Sequence, residues 1–288
     1  LMEFIALCAY INVEDTPIIF PGDHVDYSNY LLEAIFACLV GKQGISQFYD
    51  FSGNANVVTG YATDDLFYEG SGIKRPLYQS QAVTEKTGYK TRLTVKRYYA
   101  LALGQLLESN GYFSIDTKST LVNNLAAQRK FIYGEHFGAS AKNIAMICEG
   151  NYWMNESHEI FDDFFRDNPT IKERNIGWMP LPTSLDTPTI PGVSRPGTLM
   201  DIGYSYCLLN KKYEGPGKMD AAMDFIKFIY SEQELCNFTK MTGVCKAGIN
   251  YAYDSEDVSK SLNDHQKQVL SLKRSGGVVY SGATNKTF

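Results

Sequence analysis

The sequence predicts an α/β protein, and three observations lead to this fold class. Residues 144–165 predict a short apolar strand, a turn at Gly150 and a helix with apolar residues at helical spacing. Residues 16–40 repeat that order, with the turn at Pro21 and Gly22. The 288 residues, 44% of them hydrophobic, suffice for one large core or two ordinary ones. Strand, turn and helix in this order indicate open sheets covered by helices.

The first forty residues predict a helix, a strand and a second helix. Apolar residues stand at helical spacing from the first position, without an N-cap or a signal-peptide pattern ahead of them. We therefore expect the chain to start within a helix and to be a fragment of a longer protein. Residues 16–20 predict a strand, and residues 30–40 predict the next helix. Between them, residues 22–27 form a polar and aromatic cluster at a strand end.

The next segments predict loops followed by two helices. Residues 41–92 show only broken periodicity, so we expect short helices and loops there. Residues 94–108 predict a helix that Asn110 and Gly111 terminate. Residues 119–133 predict another helix by the spacing of their aliphatic side chains.

Residues 143–153 are the most informative segment. An apolar run from 144 to 148 predicts a buried strand, Gly150 permits a sharp turn, and Asn151 is suited to cap the following helix. Ligands of open α/β sheets lie beyond the carboxyl ends of strands, which is where Glu149, Tyr152 and Trp153 are expected. The alternative is that Tyr152 and Trp153 only pack the helix onto the sheet.

The remaining elements complete the α/β pattern. Prolines limit residues 176–182 to a short edge strand and make residues 183–198 an exposed loop. Residues 201–210 predict a strand, and residues 219–230 predict a helix. Ser231 and Glu234 form a capping box for a further helix that ends at Gly243, and the last helix is expected at residues 258–273.

Composition excludes several classes of function. The net charge is −5 and the basic residues are scattered, which argues against a nucleic-acid partner. The longest apolar run, residues 34–40, is far shorter than the ~20 residues that cross a bilayer. The aromatic fraction of 13%, with many Asn and Ser residues, suits a hydroxyl-rich ligand.

The cysteines and histidines show no metal-site pattern. The six cysteines contain no CxxC pair, and the four histidines are far apart, so no metal or other cofactor is expected. Most of the cysteines lie in apolar segments, where a thiol serves as a small hydrophobe. Cys236 and Cys245 are the pair to test for a disulfide.

Five segments in order resemble the sugar- and oligosaccharide-binding family of extracellular solute-binding proteins of ABC importers. They are a helix with a "TPI" strand at residues 3–20, and a helix and strand before Gly and Trp at residues 131–153. A third is similar to the "fG..plP" strand at residues 176–182. A strand at residues 203–212 and a helix pair at residues 221–243 complete the series. The resemblance covers essentially the whole chain.

This resemblance implies an α/β fold of the periplasmic-binding-protein type II, with two lobes joined by a hinge and with the first lobe incomplete. Residues 1–40 and 205–245 would form the remainder of the N-terminal lobe with the hinge, and residues 41–204 and 246–288 mainly the C-terminal lobe. Hinge closure over a ligand would be the mechanism, without catalytic residues. The implied protein is a monomeric, extracytoplasmic lipoprotein that delivers a carbohydrate to the permease of an ABC transporter.

The resemblance also implies which residues bind the ligand. Trp153 is the first candidate for stacking on a sugar ring, because aromatic faces and hydrogen-bonding side chains combine in such clefts. The complete set of expected ligand-binding residues is Trp153, Tyr152, Asp23, His24, Tyr27, Glu149, Tyr204 and Asp201.

Two alternatives remain open from the sequence. A glycoside hydrolase with Glu149 and Asp23 as acid and base is one. The other is a protein of the same fold that binds a polyamine, a peptide or a metal complex.

Overall fold

The protein is a mixed α/β structure, as the sequence predicts. The computed structural model describes residues 2–66, 72–179, 198–202, 215, 217–246, 249–275 and 277–281. The helices are α1 (Met2–Ile11), α2 (Val25–Asp50), α3 (Val95–Ser109), α4 (Asn124–Tyr133), α5 (Trp153–Glu156), α6 (His158–Asp167), α7 (Lys218–Ile229), α8 (Glu232–Thr242), α9 (Glu256–Lys260) and α10 (Asp264–Ser275). The strands are β1 (Thr16–Ile19), β2 (Asn54–Leu66), β3 (Lys74–Ala82), β4 (Ile144–Ile147), β5 (Thr198–Ile202) and β6 (Gly277–Ser281).

The strands β1 and β4 are parallel neighbours although more than a hundred residues separate them. Ile18 lies opposite Met146, and Ile19 lies opposite Ile147. The amide of Cys148 continues this ladder by donating to the carbonyl of Ile19 at 3.1 Å. The carboxyl ends of the two strands therefore meet at one edge of the sheet.

Both faces of this strand pair are covered, as is usual for parallel sheets. Ile18 and Met146 pack into a cluster that contains side chains of α1, α2 and α3. Ile19 and Ile147 pack on the opposite face, into a cluster with side chains of α4 and α6. Opposed residues of the register thus point to the same face, and the two helical layers hold the sheet between them.

The expected division of the chain into lobes separates β1 from β4, whereas the structure joins them in one sheet. The pairing follows from long-range packing, which spacing along the chain does not reveal. The two remaining strand pairs are separate. β5 and β6 are parallel, and β2 and β3 form an antiparallel hairpin.

The prediction of short helices and loops at residues 41–92 is wrong in two respects. Helix α2 continues to Asp50 across a break at Gly41, whose φ is 65°. The hairpin β2–β3 then occupies most of the remaining segment. The hairpin lacks apolar alternation because its described side chains bury little beyond Ala55, Val57 and Pro76, and because register shifts interrupt its period.

Several predicted helix ends are confirmed. Helix α3 (Val95–Ser109) agrees with the predicted helix to within one residue at each end, and Asn110 follows it as predicted. The Thr94 side chain accepts a hydrogen bond from the amide of Arg97 and caps this helix. The Ser231 side chain accepts from the amide of Glu234 at 3.4 Å, and α8 ends at Gly243 with φ of 71°. These caps depend on local geometry alone, which is why sequence identifies them.

Other boundaries differ from the expectation. Helix α4 starts at Asn124 because the Asn123 side chain caps it, and α5 starts at Trp153, so Asn151 is not its cap. The last predicted helix is divided into α9 and α10, since Asn263 accepts from the amide of Gln266 at 2.8 Å and starts a new helix. Residues 176–179 form no strand, and residues 180–197 and 203–214 lie outside the described part of the chain.

The helices α8, α9 and α10 pack together around Cys245, Val258, Leu262 and Leu270. Cys236 borders this cluster and donates weakly to the carbonyl of Ala252 at 3.7 Å. No disulfide forms among the described cysteines, so Cys236 and Cys245 share a cluster without a bond between them. Cys207 lies outside the described residues.

Candidate functional site

The adjoining carboxyl ends of β1 and β4 bring together most of the residues that the sequence predicts for ligand binding. Residues 23–30 follow β1, and residues 149–156 follow β4. Asn124 and Gln128 reach the same place from α4. We call these two segments and two side chains the carboxyl-edge site. Its position agrees with the general location of ligands in open α/β sheets.

Two glycines shape the loops of this site. The amides of Gly22 and Asp23 donate to the carbonyl of Val122 at 2.9 and 3.1 Å. A side chain at position 22 would collide with the backbone carbonyls of Asp116 and Ser119. At Gly150, a side chain would collide with the ring of Tyr152. Only glycine permits such close approach without displacing its neighbours.

Glu149 lies at the centre of the site and is held by three donors. Its Oε1 accepts from Nε2 of Gln128 at 3.0 Å, and its Oε2 accepts from the amide of Gly150 at 3.3 Å. The hydroxyl of Tyr27 is a further hydrogen-bond partner. Burial raises the pKa of Glu149 to about 7, although these hydrogen bonds oppose the rise. The group therefore changes charge near neutral pH.

Gln128 joins two carboxyl groups through one nitrogen. Its Nε2 also donates to Oε2 of Glu156 at 3.2 Å, and that oxygen accepts a weaker bond of 3.5 Å from Asn124. The Gln128 side chain is fully buried, and its Oε1 has no hydrogen-bond partner among the described residues. A buried acceptor without a donor is costly, so Oε1 marks unmet hydrogen-bonding capacity within the site.

Aromatic side chains surround the central carboxyl group. The rings of Tyr27 and Tyr30 meet edge to face at 5.7 Å, and His24 lies 6.4 Å from Tyr27. The hydroxyl of Tyr27 is also hydrogen-bonded to Tyr152, whose side chain remains 39% exposed. Burial first and the charge of Glu149 second raise the pKa of Tyr27, and burial also raises that of Tyr152. Both phenols are therefore neutral donors and acceptors near pH 7.

The charge of the site is negative. No Lys or Arg side chain forms an ion pair with Glu149 or Glu156 in the ranges that the structure describes. The neighbouring cations are already paired, since Lys130 lies 2.6 Å from Asp116 and Arg129 lies 2.9 Å from Asp163. In the part of the chain that the structure describes, the one basic side chain beside Asp23 is His24, whose Nε2 lies 3.7 Å from Oδ2 of Asp23.

Trp153 does not lie where the resemblance places it. Its side chain is 2% exposed and packs against Phe131 and Phe161 at ring distances of 5.8 Å, and against His265 at 6.1 Å. Neither face is open, so a stacking platform does not fit this arrangement. The structure instead supports the alternative that Trp153 packs its helix onto the sheet, because a large apolar ring gains most by burial. The side chain of Tyr152, one position earlier, remains partly exposed.

The remaining two candidates, Asp201 and Tyr204, stay predictions. Asp201 belongs to β5, which pairs with β6 in a separate sheet, and the structure describes only its backbone. Tyr204 lies outside the described residues.

Sequence reasoning missed Gln128 and Glu156. Gln128 lies on the buried face of α4 together with Ala127 and Phe131. A polar residue on an apolar helix face is unusual, and this could have identified Gln128 from the sequence. Glu156 gave no signal, because a carboxylate in a short exposed helix is ordinary.

A cavity of about 460 Å³ lies at the opposite edge of the sheet, near the amino ends of β1 and β4. Thr16, Ser114, Asp116, Lys130 and Phe137 are among its lining residues. Lys130 and Asp116 form an ion pair in its lining, which also contains Lys142. This cavity contains none of the residues that the sequence predicts for ligand binding.

Comparison with models of known families, with curated proteins and with solved structures finds no match. Within the described residues, no helix is long and apolar enough to cross a membrane. The described residues also contain no group of three His, Cys, Asp or Glu side chains arranged to hold a metal ion.

Proposed function

We propose that the protein binds a sugar or oligosaccharide at the carboxyl-edge site and delivers it to the permease of an ABC transporter. The observation that carries this proposal is the meeting of Tyr27, Glu149 and Tyr152 at the adjoining ends of β1 and β4. Carboxylate, amide and phenol groups recognise hydroxyls, and a partly exposed ring beside them suits a C–H face of a sugar. Asp23 and His24 border the same group of side chains.

In this proposal the site is one wall of a cleft. Tyr30 and Tyr152 remain more than a third exposed, so the ligand position is accessible from solvent. A second lobe closes over that side by a hinge motion, as in periplasmic binding proteins of type II. The protein acts outside the cytoplasm, as a periplasmic protein or a cell-surface lipoprotein, and it works as a monomer without a cofactor.

A glycoside hydrolase is the second candidate, because a pKa of about 7 at Glu149 suits a general acid. Glu156 provides a neighbouring carboxyl group. However, Nε2 of Gln128 lies between these two groups at 3.0 and 3.2 Å. The position that a retaining hydrolase keeps for the sugar carbon is therefore occupied by an amide of the protein. Binding without turnover is the better account.

Thermal unfolding with a panel of oligosaccharides tests the proposal. A ligand at 100 times its dissociation constant adds ~2.7 kcal/mol of stability. The variant Glu149→Gln should reduce the shift, because it removes the central charge while keeping the size of the side chain. The control is Glu135→Gln, since Glu135 lies near Asn143 at the amino edge of the sheet. No stabilisation by any sugar would overturn the proposal.

Turnover of aryl glycosides separates binding from hydrolysis. We expect no specific rate with the wild-type protein. A rate that Glu149→Gln abolishes and Glu135→Gln leaves unchanged would establish the hydrolase instead.

A further inference from the structure

We infer that the ligand of the carboxyl-edge site carries a protonated amine, which docks against Glu149 and Glu156 beside the rings of Tyr27 and Tyr152. This inference rests on the proposed function and narrows it, because the sugar would be an amino sugar. The argument depends on charge, on hydrogen-bonding capacity and on the aromatic surroundings.

The first argument is the uncompensated charge. Glu149 is removed from water, and the groups that most shift its pKa are Gln128, the Gly150 amide, Glu156 and Tyr27. None of them is a cation. A carboxylate withdrawn from water without a countercharge is unfavourable, and an ammonium group on the ligand would supply that charge. A neutral sugar supplies no countercharge, so it would favour the protonated form of Glu149 and not the carboxylate.

The second argument is the surplus of acceptors. Among the described residues, Oε1 of Gln128 is buried without a donor, and the side chains that donate to Glu156, Gln128 and Asn124, do so at its Oε2. This oxygen belongs to the same side-chain amide whose nitrogen donates to both carboxyl groups. An ammonium group offers three donors and no acceptor, whereas each sugar hydroxyl also brings acceptor lone pairs. The site and an amine are therefore complementary.

The third argument is the arrangement of the rings. Tyr27 and Tyr30 meet edge to face at 5.7 Å, and Tyr152 is hydrogen-bonded to Tyr27. Cations are attracted to the faces of aromatic rings, and several rings around a carboxylate are a recurring way to hold an ammonium ion. Carbohydrate stacking alone would not require the two carboxyl groups.

Binding of an ammonium ion should also release a proton. Below pH 7 the carboxyl group of Glu149 is largely protonated in the absence of ligand, because its pKa is about 7. A cation favours the ionised form, so the group loses its proton when the ligand binds. A neutral sugar provides no such driving force.

Titration calorimetry of the full chain at pH 6.5 tests the inference. The probes are glucosamine oligosaccharides and N-acetylglucosamine oligosaccharides of equal length, which differ in the charge of the amine. We expect the amine form to bind at least about tenfold more tightly, which corresponds to ~1.4 kcal/mol. Its binding heat should vary with the ionisation heat of the buffer, which reports proton release.

The variant Glu149→Gln should abolish both the preference and the proton release, while Glu135→Gln should keep both. Glu156→Gln provides a second variant with one charge removed, and it should reduce the preference. Unfolding curves of each variant establish that it is folded.

The outcomes distinguish this inference from the proposed function. Equal affinity for the two series, or a preference for the acetylated one, would overturn the inference and leave sugar binding intact. Binding of a linear polyamine but of no oligosaccharide, lost in Glu149→Gln, would support amine recognition and overturn sugar binding. Failure of every probe to bind would overturn both.

Discussion

Replacement of Trp153 by alanine separates a core residue from a ligand platform. The ring is 2% exposed and contacts Phe131, Phe161 and His265 in the cluster between the β1–β4 sheet and its helices. We therefore expect the variant Trp153→Ala to lose stability in the absence of any ligand. A platform on an open surface would affect binding and leave the unliganded protein almost unchanged.

The magnitude follows from burial and from the aromatic contacts. Truncation of a buried Phe or Trp to Ala costs about 3–5 kcal/mol, because the apolar transfer energy is lost and a cavity remains. Aromatic pairs add about 0.5–1.5 kcal/mol each beyond area burial. The loss is a large fraction of the 5–15 kcal/mol that is typical of folded proteins. At about 2–4 °C per kcal/mol, the unfolding midpoint should fall by on the order of 10 °C.

Urea unfolding followed by circular dichroism measures this loss. The variant Trp153→Phe should be intermediate, because it keeps part of the ring in the same cluster. The control is Tyr10→Ala on α1, since Tyr10 is 80% exposed and should change stability by no more than about 0.5 kcal/mol. If Trp153→Ala unfolded at the wild-type urea concentration, the placement of this ring in the core would be refuted.

The remaining predictions concern charge, backbone and capping. The free energy of unfolding of the wild-type protein, compared with that of Glu149→Gln, should fall as the pH rises from 4.5 to 7. The reason is that burial raises the pKa of the Glu149 carboxyl group from 4.5 to about 7 in the folded protein. Urea unfolding of both proteins at pH 5 and pH 8 measures this change. The same difference in stability between the two proteins at both pH values would contradict the prediction. Gly22→Ala should destabilise the protein by at least 1 kcal/mol, whereas Gly138→Ala, with open space around it, should not. The thermal unfolding midpoints of the two variants give the comparison. Equal midpoints would show that the close backbone contact at Gly22 accommodates a methyl group. Ser231→Ala should cost about 1 kcal/mol in urea unfolding by removing the cap of α8, and an unchanged midpoint would show that this cap contributes little.

Local features of the fold were predictable because short-range geometry decides them. The stop of α3 at Asn110, the capping serine at Ser231 and the stop at Gly243 each involve neighbours within a few residues. The strand at residues 144–147 was predictable from a short apolar run. The hairpin β2–β3 was not, because few of its described side chains are buried and its register is irregular. A strand without a buried face does not need alternating apolar and polar residues, so its sequence shows little periodicity.

The candidate site also contains residues that the sequence could identify and residues that it could not. Asp23, His24, Tyr27, Glu149 and Tyr152 follow the ends of β1 and β4, so a general rule about α/β sheets was enough to select them from the sequence. The same rule could not tell Tyr152 from Trp153. The two are adjacent, and the turn before α5 directs the second into the core while the first remains partly exposed.

The sequence by itself determined the α/β class, several helix ends and the polar segments that follow the strands. Only the tertiary structure decided that β1 lies beside β4, that Gln128 joins Glu149 to Glu156, and that Trp153 is buried. The physical reason is range. Caps and periodicity depend on residues a few positions apart, whereas strand pairing and burial depend on residues that only the folded chain brings together.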